Sequence, residues 1–195
     1  MDVHKIQLKL FFTPTNGVRV SNDTFVRVFH RFIQDRVLPE LMLDVATYEH
    51  VKDGPSVLFV GHGSDYYIDE GKGRTGLLYS RKREAPAPDA RLGDAFRRAL
   101  HVATLLERDP LIEGRVRFKT DEGLIRINDR LEAPNTPETF ARLSPEIARA
   151  LAGIHGAGVT LAHVGDPREL FQIAFKAPGA PGLDTLLSRA GGAPA

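Results

Sequence analysis

The chain has 195 residues, 42% hydrophobic and 26% charged, with 26 Lys and Arg against 25 Asp and Glu. This suits one sizeable soluble core, and a net charge of +1 gives no general pull towards nucleic acid or membranes. The absence of cysteine excludes disulfides and thiolate metal sites.

No apolar run approaches the roughly 20 residues needed to span a bilayer. The start, MDVHKIQLKLFF, lacks a signal peptide's basic and apolar regions and reads as a strand. The expectation is a cytoplasmic protein without membrane insertion. Charge is uneven: residues 72–130 hold fourteen Lys and Arg against nine Asp and Glu.

Ile6, Leu8, Leu10 and Phe12 alternate with polar residues, the period of a half-buried strand. Asn16-Gly17 marks a turn after which Val18 to Val20 is expected to return as a partner strand. Ser21 or Asn22 caps a helix with Phe25, Val28, Phe29, Phe32 and Ile33 on its apolar face and Pro39 beyond its end. Strands follow at 41–46, 57–60, 66–69 and 76–79. Unbroken apolarity predicts a central strand, covered on both faces, at Val57–Val60.

Residues 89–108 form the clearest helix, with Leu92, Phe96, Ala99, Leu100, Ala103 and Leu106 in one stripe. A hairpin is expected at 115–128, turning at Thr120–Gly123. Thr136-Pro137 and Ser144-Pro145 read as two successive helix starts. Strands at 159–164 and 170–176 complete an α+β domain over residues 1–177. Its sheet is mostly antiparallel with three or four helices, and its order permits two hairpin–helix–hairpin halves joined by the helix at 89–108. Residues 178–195 read as a Pro/Gly/Ala-rich tail whose Leu183, Leu186 and Leu187 have the spacing of a helical docking segment.

Three groups of residues are candidates for function. The first is His62 and Asp65 in the Gly-His-Gly-Ser-Asp turn, with His30 and His50 as possible partners. Imidazole plus carboxylate suits a divalent transition metal or an acid–base pair, although no recognised ligand spacing links these residues. Residues 57–64, Val-Leu-Phe-Val-Gly-His-Gly-Ser, resemble the strand and turn of the class II sirohydrochlorin chelatases. In that family the histidine binds the inserted metal, and the motif opens a parallel-sheet domain and leads towards a helix. In this chain it lies mid-sequence and leads into Asp65–Ile68, which reads as a strand.

The second group is a basic face, Arg115, Arg117, Lys119 and Arg126, where the hairpin register sets Arg117 opposite Arg126. An acidic surface or small anion fits it better than nucleic acid, since no aromatic residues interleave and no nucleic-acid motif is present. The third is Tyr66, Tyr67 and Tyr79, able to line a pocket with Glu70–Arg74 as its rim. His101, off its helix's apolar stripe, is expected to be exposed.

These readings favour a non-catalytic binding or assembly protein, with no cofactor expected. It would engage a protein partner, a second copy or a small anionic ligand. The alternative is a metal-dependent or acid–base enzyme centred on His62 and Asp65.

Overall fold

The computed structural model describes residues 2–48, 54–83 and 85–194. Among these residues eight strands form one antiparallel sheet in the order β2-β3-β4-β5-β1-β6-β8-β7. They are β1 (Ile6–Pro14), β2 (Met42–Thr47), β3 (Pro55–Gly61), β4 (Ser64–Asp69), β5 (Gly76–Arg81), β6 (Val116–Ile127), β7 (Thr160–Val164) and β8 (Phe171–Lys176). Four helices accompany them: α1 (Asn22–Gln34), α2 (Arg91–Arg108), α3 (Pro137–His155) and α4 (Leu183–Arg189). The α+β class with a mostly antiparallel sheet is therefore as expected.

Alternation in the strands sorts the two faces. Phe59, Tyr66, Tyr79, Leu8, Ile125 and Ile173 follow one another across the registers of β3, β4, β5, β1, β6 and β8, all on the helix-bearing side. Phe29 of α1 stacks on Phe59, ring centroids 4.6 Å apart, and Phe96 of α2 meets Phe175 at 5.7 Å. The buried apolar side chains make one cluster. Each fully buried Phe, Leu or Ile in it contributes roughly 1.5–3 kcal/mol.

The opposite face is polar yet largely dry. Lys9 is fully buried there and lies 3.3 Å from Asp69 Oδ2, which also takes Arg126 at 3.6 Å. Burial pushes the Lys9 ammonium below its ordinary 10.5, only partly offset by Asp69. The connection between β4 and β5, with a 3-10 turn at Gly71–Gly73, lies over this face. Lys72 reaches Glu169 at 2.7 Å, and Arg74 pairs with Glu122 at 2.8 Å while its guanidinium sits 3.6 Å above the Phe11 ring. Two edges close the sheet. On β2 a bulge falls between Met42 and Asp44, and Asp44 Oδ1 accepts a hydrogen bond from the Val45 amide at 2.8 Å.

Several expectations are corrected. Residues 116–127 are one long strand, with no turn at 120–123. Arg117 therefore faces Thr13, and Arg126 lies between Gln7 and Gln172. Gly123 serves packing: a Cβ there would come within 2.7 Å of the Phe175 ring and 2.8 Å of the Lys9 carbonyl oxygen. Val18–Val20 forms no strand. Strand β3 is second from the edge, with Leu58 and Val60 only half-buried. Thr136 caps a single helix that carries Pro145 inside it. With β1 and β6 as single strands, the division into hairpin–helix–hairpin halves is absent.

The C-terminal segment differs from expectation as well. Leu183, Leu186 and Leu187 lie buried in the common core, where α4 packs on α2, α3 and β6. They are turned inward and do not stand free for a partner.

Candidate functional site

The Gly61–Ser64 turn is shaped first by backbone contacts. A Cβ on Gly61 would lie 2.4 Å from the Ser64 carbonyl oxygen, so only glycine fits. The His62 amide donates to the Leu41 carbonyl at 2.8 Å, which draws the segment before β2 against the turn. Glu40 is thereby placed over the ends of β4 and β5 on the helix-bearing side.

Together these elements and α2 enclose a cleft of about 260 Å³ lined by Glu40, Leu41, His62, Gly63, Ser64, Tyr79, Arg81, Arg83 and Arg98. Its mouth is at the exposed residues His62 and Arg83. At its floor, Glu40 Oε1 accepts hydrogen bonds from Ser64 Oγ at 2.5 Å and from the Tyr66 hydroxyl at 3.1 Å, with Arg98 at 3.6 Å.

Behind the floor, Asp94 ties together Arg81 at 2.6 Å and Arg97 and Arg98 at 2.9 Å. Burial acts to raise the Asp94 carboxyl, but hydrogen bonds from Arg81, Arg97 and Arg98 outweigh it and hold the group below 3.8. The cleft wall itself sets three arginines against one carboxylate, a local excess of positive charge.

A phenol in this wall lacks its chemistry. The Tyr79 hydroxyl is buried and makes no hydrogen bond among the described residues. Burial pushes its pKa up to about 12, with the nearby arginines acting the other way, so at neutral pH it is a phenol with a proton to donate. Leaving such a group unpaired costs about 1–3 kcal/mol. Tyr79 lines the cleft but is 0% exposed, so a ligand atom would meet this hydroxyl only after a small shift of the wall.

His62 belongs to the cleft, but its proposed partners do not. Arg83 Nη1 lies 3.2 Å from His62 Nε2; a guanidinium only donates, so Nε2 accepts and the ring proton sits on Nδ1. Asp65 points to the other face, taking Lys82 at 2.7 Å, the Gly61 amide at 3.2 Å and the Tyr67 hydroxyl at 3.4 Å. His30 is exposed on α1, and His50 lies outside the described residues. Among the described residues no three His, Cys, Asp or Glu side chains are grouped to hold a metal ion. The turn links two antiparallel neighbours, so the parallel-sheet setting implied by the chelatase resemblance does not surround it.

The basic residues are engaged internally. Arg115 donates to the carbonyls of Leu111 and Ile112 at 2.8 and 3.1 Å, Arg117 pairs with Glu107 at 3.1 Å, and Lys119 pairs with Glu122 at 2.8 Å. Arg126 binds Gln172 at 2.9 Å. Of the tyrosines, Tyr66 and Tyr79 face the helices and meet at 5.4 Å, whereas Tyr67 faces away. The Glu70–Arg74 loop is not part of the cleft that Tyr79 lines. His101 is half-buried, and burial lowers its pKa against the opposing effect of its hydrogen bond to the Val37 backbone.

Sequence reasoning missed Glu40, Arg81, Arg83 and Arg98. No local pattern marks them, because Glu40 and Arg98 come from segments far apart in the chain. Among the described residues no helix is long and apolar enough to cross a membrane. No protein-family model matches the chain, and no curated protein is similar enough in sequence to count as a relative.

Proposed function

We propose that this is a binding protein whose cleft between the β3–β4 turn, Glu40 and α2 receives a small anion. The observation that carries the reading is the Tyr79 hydroxyl, buried and without a partner in a wall that also holds Arg81, Arg83 and Arg98. An anionic oxygen placed against these groups would complete the phenol's hydrogen bond and gain charge-assisted bonds from guanidinium, which are the stronger kind. The volume favours a ligand of few atoms, since drug-sized molecules occupy clefts of about 300–1,000 Å³.

Binding without turnover is the better-supported role. Ser64 donates to Glu40 but is only 2% exposed, while His62 is held by Arg83 and not by a carboxylate. A nucleophile that stands open to a substrate beside its base is therefore not found among the described residues.

Titration calorimetry with inorganic phosphate and with propionate tests the reading. Binding is expected to weaken about 10- to 150-fold in Tyr79→Phe and in Arg83→Ala, the loss of one charge-assisted hydrogen bond. Both substitutions spare the Asp94 network that supports the floor. Equal affinity in parent and variants, or no binding of either anion, would remove the proposal.

A further inference from the structure

We infer that the ligand is an α-amino acid or a close relative, a small acid bearing a hydrogen-bond donor on the carbon next to its carboxylate. The inference rests on the cleft being an anion site. What deepens it is the arrangement of Glu40, a carboxylate whose second oxygen its internal partners leave unused.

Glu40 is only 13% exposed, and its internal partners converge on one oxygen. Ser64 Oγ, the Tyr66 hydroxyl and Arg98 all address Oε1. Oε2 takes no hydrogen bond among the described residues and lies against Gly63, where an added methyl would approach it to 3.2 Å. A carboxylate oxygen with lone pairs open to a cleft accepts from whatever occupies that cleft. A bare anion would be repelled by it.

The spacing between the two demands is short. Arg98 stands 3.6 Å from Glu40 Oε1, so the group that attracts an anion and the group that rejects one are neighbours. A ligand that satisfies both carries its acid and its donor within two or three bonds. An ammonium beside a carboxylate meets this, with Glu40 taking the cation and Arg83, Arg98 and the Tyr79 hydroxyl taking the anion. A hydroxyl beside a carboxylate meets it with a weaker, uncharged donor.

The test compares ligands of matched size by titration calorimetry on the full chain: propionate, lactate, L-alanine and propylamine, with inorganic phosphate as the reference anion. L-Alanine is expected to bind at least about tenfold more tightly than propionate, the gain from one added charge-assisted hydrogen bond, with lactate between them. Glu40→Gln should abolish that preference while propionate binds at least as tightly as before. Gly63→Ala, which crowds Oε2 and leaves Glu40 in place, should reduce the preference in the same direction. It stands in for Glu40→Gln should the latter fail to fold. If phosphate and propionate bind but L-alanine binds no better, the amino-acid inference falls and the anion site stands. If none of the ligands binds up to about 20 mM, a range that reaches even feeble contacts, both fall together.

Discussion

Replacing Leu186 by Ala tests whether the C-terminal helix belongs to the core. Leu186 is 1% exposed, in a helix of seven residues packed on α2, α3 and β6. A helix this short does not form alone in water, so its order derives from that packing. The substitution removes three carbons, about 2.4 kcal/mol of transfer free energy at about 0.8 kcal/mol each. The cavity left behind adds to this, and Leu-to-Ala changes in cores cost about 2–5 kcal/mol in total. A position near the chain end can relax, which places the expected loss at about 2–4 kcal/mol.

With a urea m-value of about 2–3 kcal/mol per molar for a chain of this size, the unfolding midpoint should fall by about 1 M or somewhat more. Leu131→Ala, at a residue 96% exposed, should stay within about 0.5 kcal/mol of the parent. If Leu186→Ala behaves like Leu131→Ala, and deleting residues 178–195 leaves the midpoint unchanged, the helix is not a structural member. Leu183, Leu186 and Leu187 would then be free to dock on a partner.

Gly61→Ala should destabilise the protein by about 1–3 kcal/mol, because the Ser64 carbonyl 2.4 Å from the new methyl is backbone and cannot step aside cheaply; His62→Ala in the same turn should cost within about 0.5 kcal/mol by urea denaturation. Asp69→Asn should cost about 3–5 kcal/mol by stranding the buried Lys9 ammonium. Lys9→Met in the same chain should restore most of it, and additive losses in the double-mutant cycle would contradict the pairing. Burial lowers the pKa of His155, between Phe96 and Phe175, below its ordinary 6.5. As pH falls through 6.5 the unfolded chain therefore takes up its proton first and stability drops; urea midpoints between pH 7 and 5 should show this, and His155→Leu should flatten the slope relative to the parent. Tyr79→Phe should leave the ligand-free protein as stable as the parent or slightly more so, since it removes an unpaired hydroxyl; a clear drop in melting temperature would mean the hydroxyl has a partner.

The elements that the sequence made legible are those whose own periodicity is strong. Ile6 to Phe12 alternates cleanly, and the helices around Phe25–Phe32 and Leu92–Leu106 each carry a continuous stripe. The failures came where one residue type serves two physical ends. Gly123 looked like turn chemistry, yet it is extended backbone kept bare to admit the Phe175 ring. Pro145 looked like a helix start, yet it sits within a helix that Thr136 had already capped. Leu183, Leu186 and Leu187 were recognised as one apolar helical face, but whether that face meets this chain or another is a tertiary fact that spacing does not carry. The cleft was half visible: His62 and Tyr79 stood out, while Glu40 and Arg98 are ordinary charged residues until the fold sets them 3.6 Å apart.

The bulge on β2 bears on how this sheet meets other chains. An edge strand ordinarily offers its outward amides to any extended segment that drifts alongside. On β2 the Val45 amide is already taken, by the carboxylate of the residue before it. An arriving strand would have to displace an acceptor tethered next to its target, and meet a negative charge while doing so. Leu41 and Leu43 remain exposed beside it, so at this point the edge offers an arriving chain apolar side chains in place of a free amide.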